Sequence, residues 1–470
     1  MMSRPGPTAS RCDLQAILAD PTQAVHFIGL GGIGMAGVAF HLAHRGFPVT
    51  GSDAQSSRVT DWLHQAGINV SLGHKPENLS PNTTWVIRTP AVSDDNPELR
   101  AALERSLPVF PRGAVLPELL PGFRSVAVSG THGKTTTAAM ITTLLQQAGR
   151  DPSHCIGGEL PGLDGLAHVG QGAEFVVEAD ESDGTVVHYR PEFAVVTNIE
   201  FDHMEHFADA ASFERCFEVF AASAHERVIY WRDDPIAHRL LGSCDSGYSF
   251  GIHPDSDVRL LDHRLQPRSA EVWLEFPDKQ RVMLRVPVPG LHNVWNAVGA
   301  CAAGYSLGLR PDQLDAGLRT FQPARRRFEI MVDSDELTVV SDYAHHPTEV
   351  CALLEAASGM GDRRLIVVFQ PHRYTRTLAL AAQFPPALQR ADVLILAPVY
   401  AASEAPLQGG MGADILEQMP LVQRDRTVLA DSLDDAWDHL TRLVQPEDLV
   451  LIVGAGDVEA LAFRAMEHWT

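Results

Sequence analysis

The sequence predicts an α/β protein of three successive domains. Three observations carry that expectation. Strand–turn–helix units recur along the chain, two of the turns are glycine-rich in a form suited to phosphate, and 470 residues are too many for one hydrophobic core. Apolar types make up 45% and charged residues 20% of the chain, an ordinary globular balance that argues against disorder.

Residues 1–23 form an N-terminal extension with no apolar run of signal-peptide type, and no role follows from its composition. The first domain is expected over 24–122. Val25–Ile28 reads as a strand, Gly29-Leu30-Gly31-Gly32-Ile33-Gly34 as a tight turn, and Met35, Val38, Ala39 and Leu42 as one helical face ending at Gly46. A second strand, Phe47–Thr50, leads through Gly51-Ser52-Asp53 to a helix from Arg58 to about Ala66. This is a Rossmann-like β-α-β unit. The proline-marked stretch from Pro108 to Gly122 reads as a linker.

The central domain is expected over 123–324. Strand Ser125–Ser129 enters Gly130-Thr131-His132-Gly133-Lys134-Thr135-Thr136, and a helix follows that ends near Gly149. Two apolar strands end in polar residues: Phe175–Val177 before Glu178-Ala179-Asp180-Glu181, and Phe193–Val196 before Thr197-Asn198. Alternating runs between Arg227 and Pro289, such as Glu271–Phe276 and Arg281–Val286, predict a β-rich excursion. The C-terminal domain, 325–470, returns to a Rossmann-like α/β rhythm, with strands at Leu337–Val340, Leu365–Phe369, Val393–Leu396 and Leu449–Val453.

The net charge is −22, with 59 acidic against 37 basic side chains. Such a surface repels phosphodiester backbones and anionic lipid, so nucleic acid and membranes are not expected partners. The six cysteines form no C-x-x-C pair, which fits reduced thiols in a cytoplasmic protein better than disulfides or a zinc site. No apolar run reaches membrane-spanning length.

Gly29, Gly31 and Gly34 let backbone amides approach a pyrophosphate at a helix N-terminus, and Asp53 follows about twenty residues on, as in nucleotide-binding units. A nicotinamide enzyme would show the same pattern. The second loop decides more. Gly130-x-x-Gly133-Lys134-Thr135 lies between a strand and a helix, two residues shorter than the usual Walker spacing. Its amides suit phosphates, Lys134 the terminal phosphoryl oxygens and Thr135 a magnesium ion, which makes the central domain P-loop ATPase-type. Glu178, Asp180, Glu181 and Asp183 are candidate hard-oxygen ligands or solvated turn residues, and His203 a candidate ligand or an ordinary core histidine. Asp342-Tyr343-Ala344-His345-His346-Pro347 and Pro371-His372-Arg373-Tyr374-Thr375-Arg376 follow strands where open α/β sheets bind ligands. Arg373 and Arg376 could clamp one carboxylate or phosphoryl group, or form surface salt bridges. The Arg325-Arg326-Arg327 triplet is equally ambiguous.

Together these segments resemble the Mur ligase family of peptidoglycan synthesis. The motifs that carry the resemblance span residues 130–136, 178–183, 197–203, 292–296, 342–349 and 369–377. The resemblance implies an ATP-dependent, ADP-forming ligase that serves cell-wall assembly and with it cell shape and division. Within the family the motifs are most similar to the member that joins L-alanine to the lactyl carboxylate of UDP-N-acetylmuramate through an acyl phosphate. It further implies that Gly31, Gly32, Ile33 and Gly34, with Ser52 and Asp53, hold the uridine nucleotide. Gly130, Thr131, His132, Gly133, Lys134, Thr135 and Thr136 would bind ATP phosphates, His292, Asn293 and Asn296 the adenine side, and Arg327 and Asp342 ATP from the third domain. Thr135, Glu178 and His203 would ligate Mg²⁺. The catalytic set would be Lys134 and His203 with His345, Arg373 and Arg376, the last three around the reacting carboxylate and the alanine. A homodimer is left open.

Two positions depart from the family pattern: Ser341, where relatives often have Asp, and Arg88-Thr89-Pro90-Ala91, which is less serine-rich. A recycling ligase that adds a tripeptide is the nearest rival. It typically carries a longer, lysine-containing insertion where Asp183 here reaches Tyr189 through only Gly-Thr-Val-Val-His. A nicotinamide dehydrogenase would leave Lys134 idle, and a non-catalytic nucleotide scaffold would tolerate its loss. The third domain is expected to close over the second on substrate, which small-angle scattering would read as compaction.

Overall fold

The structure, a computed structural model, describes residues 10–163, 165–204, 206–402 and 404–469. Three sheets follow one another along the chain. The first has five parallel strands in the order Asn69–Leu72, Val49–Asp53, Ala24–Ile28, Thr83–Arg88, Val109–Pro111. Its central strand is nearly all buried, and helix Ile33–His44 covers it with Met35, Val38, Ala39 and Leu42, the face that the spacing predicts. The described part of the extension is a helix, Arg11–Leu18, capped by Ser10, whose Leu14 enters the same core.

Two elements differ from expectation here. The second strand begins at Val49 rather than Phe47, because Phe47 fills the core and Pro48 offers no N–H to a ladder. The segment expected as a linker is instead part of the fold. Val109–Pro111 adds the fifth strand, a helical turn spans Arg112–Val115, and Val115, Leu116, Leu119 and Leu120 are buried. Its prolines sit at a strand end and a helix start, where a missing N–H costs nothing.

The central sheet has ten strands. Six run parallel, in the order Gly247–Gly251, Arg227–Trp231, Phe193–Val196, Arg124–Ser129, Glu174–Glu178, Ser153–Leu160. Gly165–His168 pairs antiparallel at one edge. At the other, Val258–Gln266 continues parallel to Gly247–Gly251, and Ser269–Glu275 and Arg281–Val286 complete an antiparallel meander. The β-rich excursion is therefore narrower than its sequence pattern, since the strands at 227–231 and 247–251 belong to the parallel core. The C-terminal sheet runs Glu329–Asp333, Leu337–Asp342, Asp448–Val453, Leu365–Phe369, Val393–Leu396, Thr427–Leu429, antiparallel only at its first pair.

Direct contacts join the three units. His41 Nε2 lies 2.9 Å from the His154 carbonyl, between the first and central sheets. Arg58 pairs with Glu459 at 2.9 Å and lies over the Phe463 ring, joining first to third. Arg376 and Asp202 form a buried pair between central and third units. Among the described residues no helix is long and apolar enough to cross a membrane.

Candidate active site

The carboxyl ends of the central strands converge on the second glycine loop. Strand Arg124–Ser129 turns at Gly130 (φ 127°), and Gly133 (φ 80°) caps helix Lys134–Gln147 with no side chain over its first amides. Those amides have no partner within the helix and form a ready anion cradle. The loop is held from below: Asn198 Oδ1 accepts the His132 N–H at 2.9 Å, and the His132 carbonyl accepts from Thr197 Oγ1 at 2.6 Å and Asn198 Nδ2 at 2.9 Å.

Lys134 folds back into this turn. Its ammonium donates to the carbonyls of Gly130 (2.7 Å) and Thr131 (3.0 Å) and to Glu181 Oε1 (2.8 Å). Burial alone would lower its pKa, but Glu181, Asp180 and Glu178 more than reverse this and keep it charged. Thr135 Oγ1 donates to Glu178 Oε2 at 2.8 Å, and that oxygen also accepts the Gly157 N–H at 2.9 Å. His203, in the left-handed region at φ 57°, places Nε2 3.4 Å from Glu181 Oε1. The buried Glu181 Oε2 has no hydrogen-bond partner among the described residues.

A cavity of about 350 Å³ opens beside the loop, within the range of small-ligand sites. His132, Gly133 and Thr136 form one wall, and His292, Asn293 and Asn296, at the start of helix Leu291–Ser306, form another. Trp231 and Trp295 supply flat apolar surface, their rings 5.0 Å apart. Burial, and then the nearby Arg327 charge, push His292 down to about 4, so its ring is neutral and its Nδ1 lies buried without a partner among the described residues. The third wall comes from the C-terminal unit: Arg327, Phe328, Asp342 and Glu349. Asp342 accepts the N–H groups of Phe328 (2.7 Å) and Ala344 (2.8 Å), which fixes the turn carrying Arg327.

The other C-terminal candidates cluster around His372. His345 stacks edge-on against it at 5.5 Å, and Arg376 Nη1 lies 3.3 Å from its Nδ1. Burial pushes His345 down to about 4, so it is neutral near pH 7. Arg376 spends its fork on Asp202, at 3.1 to 3.3 Å. Arg373 begins helix Tyr374–Leu380 at φ 66°, its N–H on the Tyr400 carbonyl at 2.8 Å.

The first glycine loop lies on the other side of the acidic cluster. Gly31 N–H donates to Asp53 Oδ2 at 2.8 Å, so Asp53 steadies the loop itself. Ser52 supplies its carbonyl to the Gly29 and Leu30 amides, while its hydroxyl turns inward to the buried Glu98. A Cβ on Gly34 would stand 2.3 Å from Arg112 Nη1, and Arg112 Nη2 reaches Asp180 Oδ2 at 3.2 Å. Burial raises the Asp180 pKa, but the Arg112 and Lys134 charges bring it down to about 2.

Residues 24–124 match the family model described as Mur ligase family, catalytic domain; residues 128–304 match the Mur ligase middle domain and 326–456 the Mur ligase, glutamate ligase domain. A UDP-N-acetylmuramate–L-alanine ligase of Carboxydothermus hydrogenoformans is 38% identical over 446 residues, covering 94% of this chain and 96% of that one. The chain belongs to the Mur ligase family. Among solved structures, the UDP-N-acetylmuramate–alanine ligase of Thermotoga maritima superposes with a TM-score of 0.82 at 29% identity, covering 95% of this chain and 99% of that one. A murein peptide ligase of Psychrobacter arcticus gives a TM-score of 0.72 at 24% identity over 95% and 99% of the two chains, a likeness of fold.

In this Mur ligase the cavity brings together eight residues that the motifs single out: His132, Gly133, Thr136, His292, Asn293, Asn296, Arg327 and Asp342. Lys134, Thr135, Glu178 and His203 gather beneath the loop instead. Arg373 and Arg376 do not form one free clamp, since Arg376 is engaged by Asp202. Three contributors escaped the sequence reading of roles. Glu181 was one of four equivalent acids, Arg112 lay in a supposed linker, and Glu349 closes a motif without standing out in it. Gly133 carries a direct test. A Cβ there would stand 2.2 Å from Asn296 Oδ1, and a left-handed φ costs an L-residue about 1–2 kcal/mol. Gly133→Ala should lose about that much stability in a denaturant melt, and calorimetry should find ATP binding weakened about tenfold as Asn296 is displaced.

Proposed function

We propose that this Mur ligase activates the lactyl carboxylate of UDP-N-acetylmuramate with ATP and joins it to L-alanine. The products are UDP-N-acetylmuramoyl-L-alanine, ADP and phosphate. The observation that carries the reading is a charged Lys134 in a glycine-framed loop, beside a nucleotide-sized cavity, in a chain alike over 94% of its length to a ligase of that name.

The carboxylate attacks the γ-phosphorus, the γ-phosphoryl group passes to it, and ADP leaves. The alanine amine then attacks the acyl carbon and expels phosphate. Lys134 and the loop Gly130, Thr131, His132, Gly133, Thr135 and Thr136, through the open amides at the start of its helix, offset phosphate charge; catalysis of this kind is chiefly positioning and electrostatics. His292, Asn293 and Asn296 receive the adenine side, with Arg327 and Asp342 closing on the nucleotide from the C-terminal domain. Gly31, Gly32, Ile33 and Gly34 hold the uridine diphosphate, with Asp53 and Ser52 supporting that loop. His345, neutral near pH 7, accepts or relays a proton from the amine, and Arg373 and Arg376 border the reacting carboxylate. The corresponding division is 24–122 for sugar nucleotide, 123–324 for ATP and 325–470 for the amino acid, with 1–23 an extension.

Two of the three donors, Thr135 and Glu178, are hard oxygens of the kind Mg²⁺ prefers, and it takes few protein ligands. Thr135 and Glu178 already meet at 2.8 Å, and the buried Glu181 Oε2 accepts no hydrogen bond among the described residues. Thr135, Glu178 and His203 would hold the ion, which when bound neutralises charge on the transferring phosphoryl group. A cytoplasmic location follows from the reading, since ATP and a sugar nucleotide are its substrates.

Phosphate release with ATP, UDP-N-acetylmuramate and single amino acids tests the reading. L-Alanine should drive turnover, and the L-Ala-γ-D-Glu-diaminopimelate tripeptide should not. Turnover with the tripeptide alone would make the enzyme a recycling ligase, and NAD binding without ATP turnover would overturn the ligase reading altogether.

A further inference from the structure

We propose that Glu349 is a positioning residue that ties the phosphate loop to the main chain carrying His345, acting through a doubly protonated His132. The inference rests on the assignment above of the loop to ATP and of His345 to the reacting groups.

His132 Nε2 lies 2.7 Å from Glu200 Oε2, and its Nδ1 lies 3.2 Å from Glu349 Oε1. An ionised carboxylate only accepts hydrogen bonds, so both ring nitrogens must donate, and only an imidazolium does that. Both acids are ionised. Burial would raise each, but His132 outweighs it at Glu200, and His345 and His132 together hold Glu349 well below the usual carboxylate range. Burial alone would discharge His132, yet the two glutamates push it up to about 9.

Each acid also reaches the start of helix Pro347–Ser358. Glu349 Oε2 accepts the N–H groups of His345 (3.1 Å) and His346 (3.3 Å), and Glu200 Oε1 accepts from Thr348 Oγ1 at 2.8 Å. The loop side is equally fixed, because the His132 peptide groups are held by Thr197 and Asn198. A shift of the loop is therefore passed through one ring to the turn bearing His345. Among the described residues His346 also faces His132, its ring 5.0 Å away, and burial lowers its pKa.

A divalent cation is the competing occupant, since ligand atoms of His132, Glu200 and His346 lie within 4.8 Å of one another. His346 Nδ1 already accepts the Thr348 N–H at 3.3 Å, and both His132 nitrogens face carboxylates. A proton satisfies the cluster without an ion.

Nitrogen-15 NMR of histidine-labelled full-length enzyme, with His132→Asn for assignment, reads the ring directly. The wild type should show both His132 nitrogens protonated at pH 7.5 and titrating near pH 9. In Glu349→Gln, where the amide cannot accept from the ring while keeping both main-chain bonds, that titration should fall by about one pH unit or more. Its kcat should drop at least about tenfold, with KM for ATP changed less than about threefold, and the alkaline limb of kcat should move down with the ring. A neutral His132 at pH 7.5 in the wild type overturns the proposal, as does a variant whose kcat and alkaline limb are unchanged. The wild-type spectrum needs no variant to fold, and it decides the proposal even if the enzyme proved not to turn over ATP, so the two readings fail separately.

Discussion

Lys134→Ala is expected to lower ligase turnover by about three orders of magnitude or more, a loss of about 4 kcal/mol of transition-state stabilisation. The ammonium is placed by three bonds, to the Gly130 and Thr131 carbonyls and to Glu181. Its removal has a second effect, because Glu181 is fully buried. A buried charge stripped of its partner costs about 3–5 kcal/mol, so the variant should also melt earlier. Lys134→Ala combined with Glu181→Gln separates the two effects. The pair should regain most of the stability, read by denaturant melts, and none of the turnover. Recovery of turnover in the double variant would mean that Lys134 serves only to neutralise Glu181.

The second large effect is expected at Arg376. Its fork on Asp202 joins the C-terminal and central units, and both side chains are about 5% exposed or less. Arg376→Ala leaves the buried Asp202 without its charged fork, holding among the described residues only the His203 N–H at 2.7 Å and the His203 ring at 3.8 Å, at a cost of about 3–5 kcal/mol. Turnover should fall about a hundredfold as the units lose their fixed relation, and Arg376→Lys should recover little of it, since an ammonium lacks the planar fork. The pH dependence gives a sharper readout. Burial pushes the Asp202 carboxyl up, but the Arg376 charge reverses this and holds it well below the usual carboxylate range. A depressed acid contributes stability that is present above its unfolded pKa and lost as pH falls through its folded value. Wild-type stability from this pair should therefore persist into strong acid. In Arg376→Ala burial, the largest influence on this carboxyl, is left to push it up, so falling pH should protonate Asp202 and recover part of the lost stability. Equal denaturant midpoints of the two proteins at neutral pH, or a gap between them that does not narrow as pH falls, would show that the pair does not hold the interface.

Much of this was legible in the chain because the determining features are local. Apolar runs at Leu365–Phe369 and Val393–Leu396 match the strands residue for residue, and the face of Met35, Val38, Ala39 and Leu42 needed only helical spacing. The two glycine loops were legible because their backbone conformations demand glycine: Gly29, Gly130 and Gly133 all have positive φ. What stayed hidden depends on partners far away in sequence. Strand Ser153–Leu160 carries a Gly157-Gly158 pair that breaks its pattern, and is held by pairing with Glu174–Glu178. Val109–Pro111 reads as a linker until Thr83–Arg88 lies beside it. At the site, nothing in Glu178-Ala179-Asp180-Glu181 tells which acid faces Lys134. Chain packing selects Glu181 for the lysine, Glu178 for Thr135 and Asp180 for Arg112. The reach of Glu349 to His132, 217 positions apart, is invisible without the fold.

A structure of the enzyme with UDP-N-acetylmuramate and a non-hydrolysable ATP analogue bears most directly on the account. Lys134 Nζ should leave Glu181 and lie about 3 Å from a β- or γ-phosphate oxygen, with the lactyl carboxylate facing the γ-phosphorus. An ammonium still bound to Glu181, with the triphosphate seated elsewhere, would contradict it.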